Sequence, residues 1–445
     1  MQDEIFRKLD GKKIAILGFG REGRSTYKFI RKRSNMTIYI LDQNDLSNDE
    51  LLKDDSNVIT IHEDYLSNLD DYDLIIKTPG ISLNDMDISK FKDKITSQLE
   101  LILEVDKKNI IGVTGTKGKS TTTTLIYEMF KNQGYDAYIL GNIGNPIFDE
   151  IDNFNDDSIL VIEMSALQLE YVNVSPHVAI ILNLFEEHLD FAKTLKHYHE
   201  CKLNIFKYQD KYDVAIYAYD NNYLNSYVSN SNYKQDMISV SLKDNTNMHI
   251  KDNYVYYKNK KLYDITSKRN LIGDCNLENI MFVLAVAEVY YLKLDLVIDT
   301  INKFKPLSHR LENVGTYKGI TYYDDTISTI PEATINALNS LKTVDTLIIG
   351  GLDRNIDYTN LINYINKSSI SNVICMPDTG YKIAKSLNKQ VRNVYEVKTL
   401  KEAVVIAKKK TKKGKICLLS PAAASYNQFK NYIEKGNLYQ ELIKG

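Results

Sequence analysis

The chain has few cysteines, no long apolar run and almost no net charge, and each shortage removes a class of protein. Its four cysteines, Cys201, Cys275, Cys375 and Cys417, lie far apart and form no Cys-x-x-Cys pair. That spacing suggests neither a disulfide framework nor a zinc site, and it fits a reducing compartment. The segment Met1 to Asp10 is charged and lacks the apolar stretch of a signal peptide. Apolar runs elsewhere are strand-sized, far short of a bilayer span. A cytoplasmic location without membrane insertion is expected. The formal charge is −2 and the basic residues are spread along the chain, so nucleic acid is not indicated as a partner. The one basic run, Lys408-Lys409-Lys410 with Lys412 and Lys413, reads as the solvated end of a helix and the following turn. No repeat at a fixed short period is present.

What remains is ordinary globular material, 445 residues with 43% hydrophobic and 26% charged. That length exceeds what one core serves, and three domains are expected: 1–100, 101–304 and 305–445. The fold class read from the pattern is α/β throughout. Ile14 to Leu17, a Gly-rich turn, a helix to about Arg33 and a strand from Thr37 to Leu41 make a parallel βαβ unit. A strand at Leu74 ends at Lys77-Thr-Pro-Gly80, and a helix is expected around Ser97 to Lys107. The second domain starts with strands at Ile110 to Val113, Ile159 to Ile162 and Val178 to Leu182. Its tail, 213–266, carries Tyr-rich pieces such as Asn253 to Lys258 that read as antiparallel strands. After Phe304 the pattern restarts, with strands at Ile320 to Tyr323, Thr346 to Ile349, Asn372 to Cys375 and Lys415 to Leu419.

Two glycine-rich loops carry the chemistry. Gly18-x-Gly20-x-x-Gly23 follows a strand, opens a helix, and is followed by Asp42 at the end of the next strand. This pattern lets backbone approach a pyrophosphate at a helix N-terminus while the acid holds a ribose hydroxyl. Alone it would equally suggest an NAD-dependent oxidoreductase. The stronger motif is Gly112-Val-Thr-Gly115-Thr116-Lys117-Gly118-Lys119-Ser120-Thr121, between a strand and a helix beginning near Ser120. Its amides can wrap phosphate oxygens, with Lys119 neutralising the β/γ-phosphates and the Ser120 or Thr121 hydroxyl on Mg²⁺. Val113 stands where the general NTPase pattern has glycine, so the loop is a variant. Glu163 and the segment Asn183 to Asp190, with His188, follow two further strands and should reach the same sheet edge, where they could hold a second hard cation. His197 and His199, two apart on a helix, read as surface or packing residues.

With GVTGTKGKST, GNIG (141–144), VIEMSALQLE (161–170), NLFEEHLD, HECKLNIF (199–206), SHRLE (308–312), GGLDR (350–354) and SPAAASYNQFKNY (420–432), the chain resembles the Mur ligases, nearest their glutamate-adding branch. The matches run in family order across nearly the whole chain. The resemblance implies an ATP-dependent acid–amino-acid ligase with a UDP-holding domain, a central ATPase domain and a C-terminal Rossmann-like domain that brings the amino acid. It would join glutamate to UDP-N-acetylmuramoyl-L-alanine through an acyl phosphate, as a monomer. ATP and Mg²⁺ at two sites are the implied cofactors. Gly115 to Thr121 would hold ATP, and Ser120, Glu163, His188 and Lys202 the metals, with Lys202 converted by CO₂ to a carbamate; Lys119 joins the last three as catalytic. Asn276, Asn279, Arg310 and Asp325 match nucleotide contacts. Arg21, Glu22, Asp42, Thr78, Pro79 and Gly80 match the uridine and pyrophosphate side, Asn142 and Gln168 further substrate contacts, and Thr329, Arg354, Ser425 and Tyr432 the glutamate side. One departure stands out: Ile327, in Asp324-Asp325-Thr326-Ile327, replaces the family's usual lysine. A charged contact to glutamate is then missing, and with the GFGREGRS opening this leaves L-glutamate as an alternative to the favoured D isomer. A folylpolyglutamate synthase would not require the UDP domain or SPAAASYNQF. A non-catalytic nucleotide-binding subunit would have no need of Lys119, Ser120, Glu163, His188 and Lys202 together.

Overall fold

The computed structural model describes residues 1–185, 194–341, 343–389 and 392–445. They divide into two compact units, Met1–Lys268 with Glu278–Asn302, and Arg269–Leu277 with Lys303–Gly445. No described helix is long and apolar enough to cross a membrane.

The first unit holds two sheets. One comprises β1 (Ile14–Leu17), β2 (Ile38–Leu41), β3 (Val58–Ile61), β4 (Leu74–Lys77) and β5 (Ile95–Thr96), in the order β3-β2-β1-β4-β5. All its pairings are parallel. Ile14, Ala15, Ile16 and Leu17 are all buried, as expected of a strand covered on both faces. From β1 the chain runs outward through β2 to β3 and then crosses back to β4 on the other side of β1. That reversal opens a crevice at the C-terminal edge, where Leu17 pairs with both Leu41 and Lys77.

The second sheet contains β6 (Ile110–Thr114), β7 (Ala137–Gly141), β8 (Ile159–Glu163), β9 (Val178–Ile181), β10 (Val214–Ala218), β11 (Asp236–Val240), β12 (Met248–Lys251), β13 (Tyr254–Tyr257) and β14 (Lys260–Asp264). Their order is β14-β13-β12-β11-β10-β9-β6-β8-β7. The tail bears out the sequence reading at 253–258 and departs from it in the strands before. β13 and β14 are antiparallel, but β10, β11 and β12 continue the parallel sheet. Residues 213–266 therefore extend the nucleotide sheet before they turn back, because helix Asn222–Ser229 provides the crossover that parallel pairing requires. Register places Val113 opposite Glu163, and Thr114 opposite Ile181, so the segments after β6, β8 and β9 emerge together at one edge.

The second unit has one sheet, made of β15 (Glu312–Tyr317), β16 (Ile320–Asp324), β17 (Val344–Ile349), β18 (Asn372–Cys375), β19 (Asn393–Glu396) and β20 (Ile416–Leu419), in the order β15-β16-β20-β17-β18-β19. Only β15 is antiparallel. Apolar clusters pack on both faces, around Leu347 and Val373 on one and Ile348, Ile374 and Tyr439 on the other. The basic run lies where expected, at the end of helix Leu400–Lys410 and in the turn after it.

Candidate functional site

At the edge of the first sheet the three glycines do different work. Gly18 has φ +92°, and a Cβ there would fall 2.2 Å from Thr78 Oγ1; a Cβ on Gly23 would fall 2.1 Å from the Gly18 carbonyl oxygen. Both are demanded by packing. Gly20 meets nothing within 4 Å, and its φ of −74° needs no glycine. Its missing side chain leaves room at the mouth of a cleft of about 530 Å³, lined by Gly18, Arg21, Asp42, Thr78, Pro79 and Asn142 among others. That volume suits a nucleotide-sized ligand. Asp42 accepts from the Phe19 amide at 2.7 Å and from Asn44 N and Nδ2 at 2.9 and 2.8 Å, so its visible task is to fix the turn.

Side chains from this cleft reach the second sheet. Arg21 Nη2 donates to the Gly144 carbonyl at 2.7 Å, and Gln168 Nε2 donates to Glu22 Oε1 at 2.8 Å. Gln168 is itself fixed by a capping box with Ser165 at the start of helix Ala166–Leu169. Burial pushes the Glu22 carboxyl up and holds the Lys77 ammonium down, the latter partly offset by Glu170 and Glu22.

The loop after β6 is held as a phosphate cradle. Gly115 and Gly118 have φ +150° and +87°, and helix Lys119–Asn132 begins directly behind them, so amides and helix dipole point into the loop. Asn183 supports it from beneath: its Oδ1 accepts from the Thr116 and Lys117 amides at 3.1 and 2.8 Å, and its Nδ2 donates to the Lys117 carbonyl at 3.0 Å. Sequence reasoning gave Asn183 no role of its own. Lys119 Nζ donates to the Gly115 and Thr116 carbonyls at 2.9 and 3.0 Å. Lys202 is not a surface lysine: it is 1% exposed, and its Nζ donates to the Gly115 carbonyl at 2.9 Å. Two ammonium groups therefore meet at one carbonyl of the cradle. Asn279 lies alongside, its Oδ1 2.5 Å from where a Gly118 Cβ would stand.

Glu163 gives the test of whether this edge suits a cation. It is 1% exposed; Oε1 accepts from Asn142 Nδ2 at 2.7 Å, and Oε2 has no hydrogen-bond partner among the described residues. A buried carboxylate oxygen left without a partner is costly unless an ion or water meets it. The residues fit a divalent cation there. His188 lies outside the described residues.

In the second unit, the segments after β16, β17 and β20 meet at one edge. Asp325 is buried, accepts from Ser420 Oγ at 2.7 Å and the Leu311 amide at 3.1 Å, and is pushed up to about 6 by burial. Leu352 bridges Ala424, which brings the loop of Arg354 beside that of Ser425. Arg354 Nε and Ser425 Oγ are both buried without a partner among the described residues, the state expected of groups arranged for a polar ligand. Thr329 and Ile327 are half-buried nearby in sequence, and Ile327 uses its amide on the His309 carbonyl. Asn276 donates to the Ile272 carbonyl at 2.9 Å, and the Arg310 amide to the Leu307 carbonyl at 3.1 Å. Tyr432 opens the last helix, its ring 6.2 Å from that of His309.

Behind this edge is a charged core that sequence reasoning missed. His309 Nδ1 lies 2.7 Å from Asp324 Oδ2, and Gln440 Nε2 donates to both Asp324 and Glu312. The hydrogen bond to Asp324 raises the His309 imidazole, while bonds from His309, Thr326 and Gln440 outweigh burial and keep Asp324 low. Lys435, 1% exposed, donates to the Gly350 carbonyl at 2.9 Å and is pushed down to about 7 by burial. Gly436 is where it is because His309 packs on it, Nδ1 2.2 Å from an added Cβ.

Comparison with known proteins follows the same division. The Mur ligase middle domain matches residues 113–287, and the Mur ligase glutamate ligase domain matches 309–423. A UDP-N-acetylmuramoylalanine–D-glutamate ligase of Clostridioides difficile is 33% identical, over 98% of this chain and 99% of its own length. One of Oenococcus oeni is 32% identical, over 97% of each. Among solved structures, the MurF ligase of Thermotoga maritima superposes with a TM-score of 0.63 over 97% of this chain and 95% of its own, at 16% identity. The UDP-N-acetylmuramate-alanine ligase MurC of the same organism gives 0.61, over 97% and 98%, at 18% identity. These last two bear on the fold alone.

Proposed function

The chain belongs to the Mur ligase family, and from that premise we propose that it adds D-glutamate to UDP-N-acetylmuramoyl-L-alanine in peptidoglycan precursor synthesis, using ATP. The observation that carries this reading is the convergence of Lys119, Lys202 and the half-unpartnered Glu163 on one strand edge, beside a cleft shaped for a nucleotide. ATP converts the alanyl carboxylate to an acyl phosphate, a far better leaving group than a carboxylate oxygen; the glutamate amine then takes the carbonyl and phosphate departs. The residues of this chain do the positioning. Gly115 to Thr121 bind the phosphates, with Lys119 neutralising them. Ser120, Glu163, His188 and Lys202 are assigned to two Mg²⁺ ions, which screen the charge that builds between nucleotide and carboxylate. The burial of Lys202 beside the cradle supports carbamylation, since a carbamate there would replace an ammonium facing cations with an anion. Asn279, Asn276, Arg310 and Asp325 are assigned to the nucleotide. Arg21, Glu22, Asp42, Thr78, Pro79, Gly80, Asn142 and Gln168 are assigned to the UDP substrate, and Thr329, Arg354, Ser425 and Tyr432 to glutamate.

The three sheets support a division of labour at 1–100, 101–304 and 305–445 for UDP substrate, ATP and amino acid. A soluble nucleotide substrate fits a cytoplasmic monomer. Ile327 in place of lysine favours a second reading with L-glutamate; the named relatives carry D-glutamate, and that isomer is the one proposed. One incubation tests both. Purified protein with ATP, Mg²⁺, UDP-N-acetylmuramoyl-L-alanine and either enantiomer should form ADP and a glutamylated product with D-glutamate. Product only with the L isomer would reverse the stereochemical assignment, and neither ADP nor product with either would overturn the reaction.

A further inference from the structure

Away from the phosphate cradle, three metal-ligating side chains of different chemistry converge on one point of the first unit. They are Glu170, just after helix Ala166–Leu169, and His197 and Cys201, one turn apart on helix Leu195–Lys207. His197 Nε2 lies 3.2 Å from Glu170 Oε1 and 3.6 Å from Cys201 Sγ, and the three donor atoms all fall within 4.8 Å of one another. One ring nitrogen thus faces both a carboxylate oxygen and a sulfur, as two neighbours in one coordination sphere would. These two distances match edges of a coordination tetrahedron: zinc bond lengths give about 3.4 Å from nitrogen to oxygen and about 3.6 Å from sulfur to nitrogen. The second carboxylate oxygen of Glu170 faces Lys77 Nζ at 4.0 Å, which leaves Oε1 as the ligating atom and supplies the outer contact that orients such a ligand. The His197 side chain is 37% exposed, giving an ion a way in from solvent and a fourth position for water.

We propose that Glu170, His197 and Cys201 form a binding site for a thiophilic divalent cation, Zn²⁺ by the chemistry of its donors. Thiolate with imidazole selects against Mg²⁺, which takes oxygen ligands. On binding, the Cys201 thiol gives its proton to solvent and the sulfur bonds the metal. The bound ion clamps the end of helix Ala166–Leu169, which carries Gln168, to the helix that carries Lys202. It is a site separate from the Mg²⁺ positions assigned above and does not depend on them.

The test is titration of the full-length, metal-stripped protein with Co²⁺ alone, in the absence of nucleotide, read by the thiolate-to-cobalt charge-transfer band. One equivalent should develop the band, and Zn²⁺ should bleach it. Cys201→Ser should abolish it, and Cys275→Ser, which alters an exposed cysteine in no disulfide, should leave it intact. His197→Ala, at a position exposed enough not to threaten folding, should weaken Zn²⁺ binding by at least about tenfold and remove the rise in Tm that Zn²⁺ gives the unaltered protein. Absence of the band, its survival in Cys201→Ser, or unchanged Zn²⁺ affinity in His197→Ala would overturn the proposal.

Discussion

Lys435→Met should make the second unit more stable near neutral pH and remove a stability gain that the unaltered protein shows as pH rises. Lys435 is buried, and burial brings its pKa from 10.5 to about 7. Between those values the unfolded chain binds a proton that the folded chain does not, so this lysine makes stability rise with pH. Integrating the two titrations, it costs about 4 kcal/mol at pH 7 and about 1.4 kcal/mol at pH 9.5, a change of about 3 kcal/mol. Methionine keeps most of the volume and removes the charge, but it also removes the hydrogen bond to the Gly350 carbonyl, about 0.5–1.5 kcal/mol for the neutral amine against which that cost is counted. The net expectation is a gain of about 3 kcal/mol at pH 7 that shrinks to near zero by pH 9.5. Cys375 and Cys417, both pushed up to about 12 by burial, act in the opposite sense above their ordinary range; they are common to both proteins and cancel in the difference. Urea unfolding read by pulse proteolysis, following fragments of the second unit at a series of pH values, measures that difference. A gap between variant and unaltered protein that stays constant from pH 7 to 9.5 would refute the reasoning.

The glycine-rich turn makes a contrasting pair. Gly23→Ala drives a methyl into the Gly18 carbonyl and should destabilise the first unit by about 1–3 kcal/mol, seen as a lower Tm, whereas Gly20→Ala should leave Tm unchanged and raise KM for the UDP substrate. Lys202→Ala should abolish turnover at the cradle, with partial rescue by short carboxylic acids if a carbamate acts there; full activity in the variant would remove that idea. Ile327→Lys should lower KM for D-glutamate if the missing charge governs the amino-acid site, and an unchanged KM would assign that task to other residues.

The parts legible in the sequence are those whose physics is local. A phosphate cradle needs a strand, two glycines at positive φ and a helix in immediate succession, so its residues are written side by side, and the fold class followed from the same alternation. The strand order was partly legible too: Glu163 reaches the cradle edge because β8 is the register partner of β6. Strand β7 went unread because it is short and runs directly into the GNIG turn. In 213–266 the Tyr-rich piece at 253–258 was read rightly as antiparallel, whereas the parallel strands before it went unread because their alternation carries no information on direction. What could not be read at all are contacts between residues far apart in sequence. Lys435 stands in Glu434-Lys435-Gly436, a polar stretch indistinguishable from a solvated helix start, yet it is buried against the loop that begins at Gly350. The neighbouring Gly436 was the available signal, since a glycine inside a helix is unfavourable unless something occupies the space of its side chain, and here His309 does. Lys202 makes the same point from the other direction. Its burial is forced by the cradle carbonyl it meets, so only the partner, 87 positions away, distinguishes it from the surface lysines of the same helix. A buried cation in this chain is therefore recognised by the distant backbone carbonyl it meets, not by its neighbours in sequence.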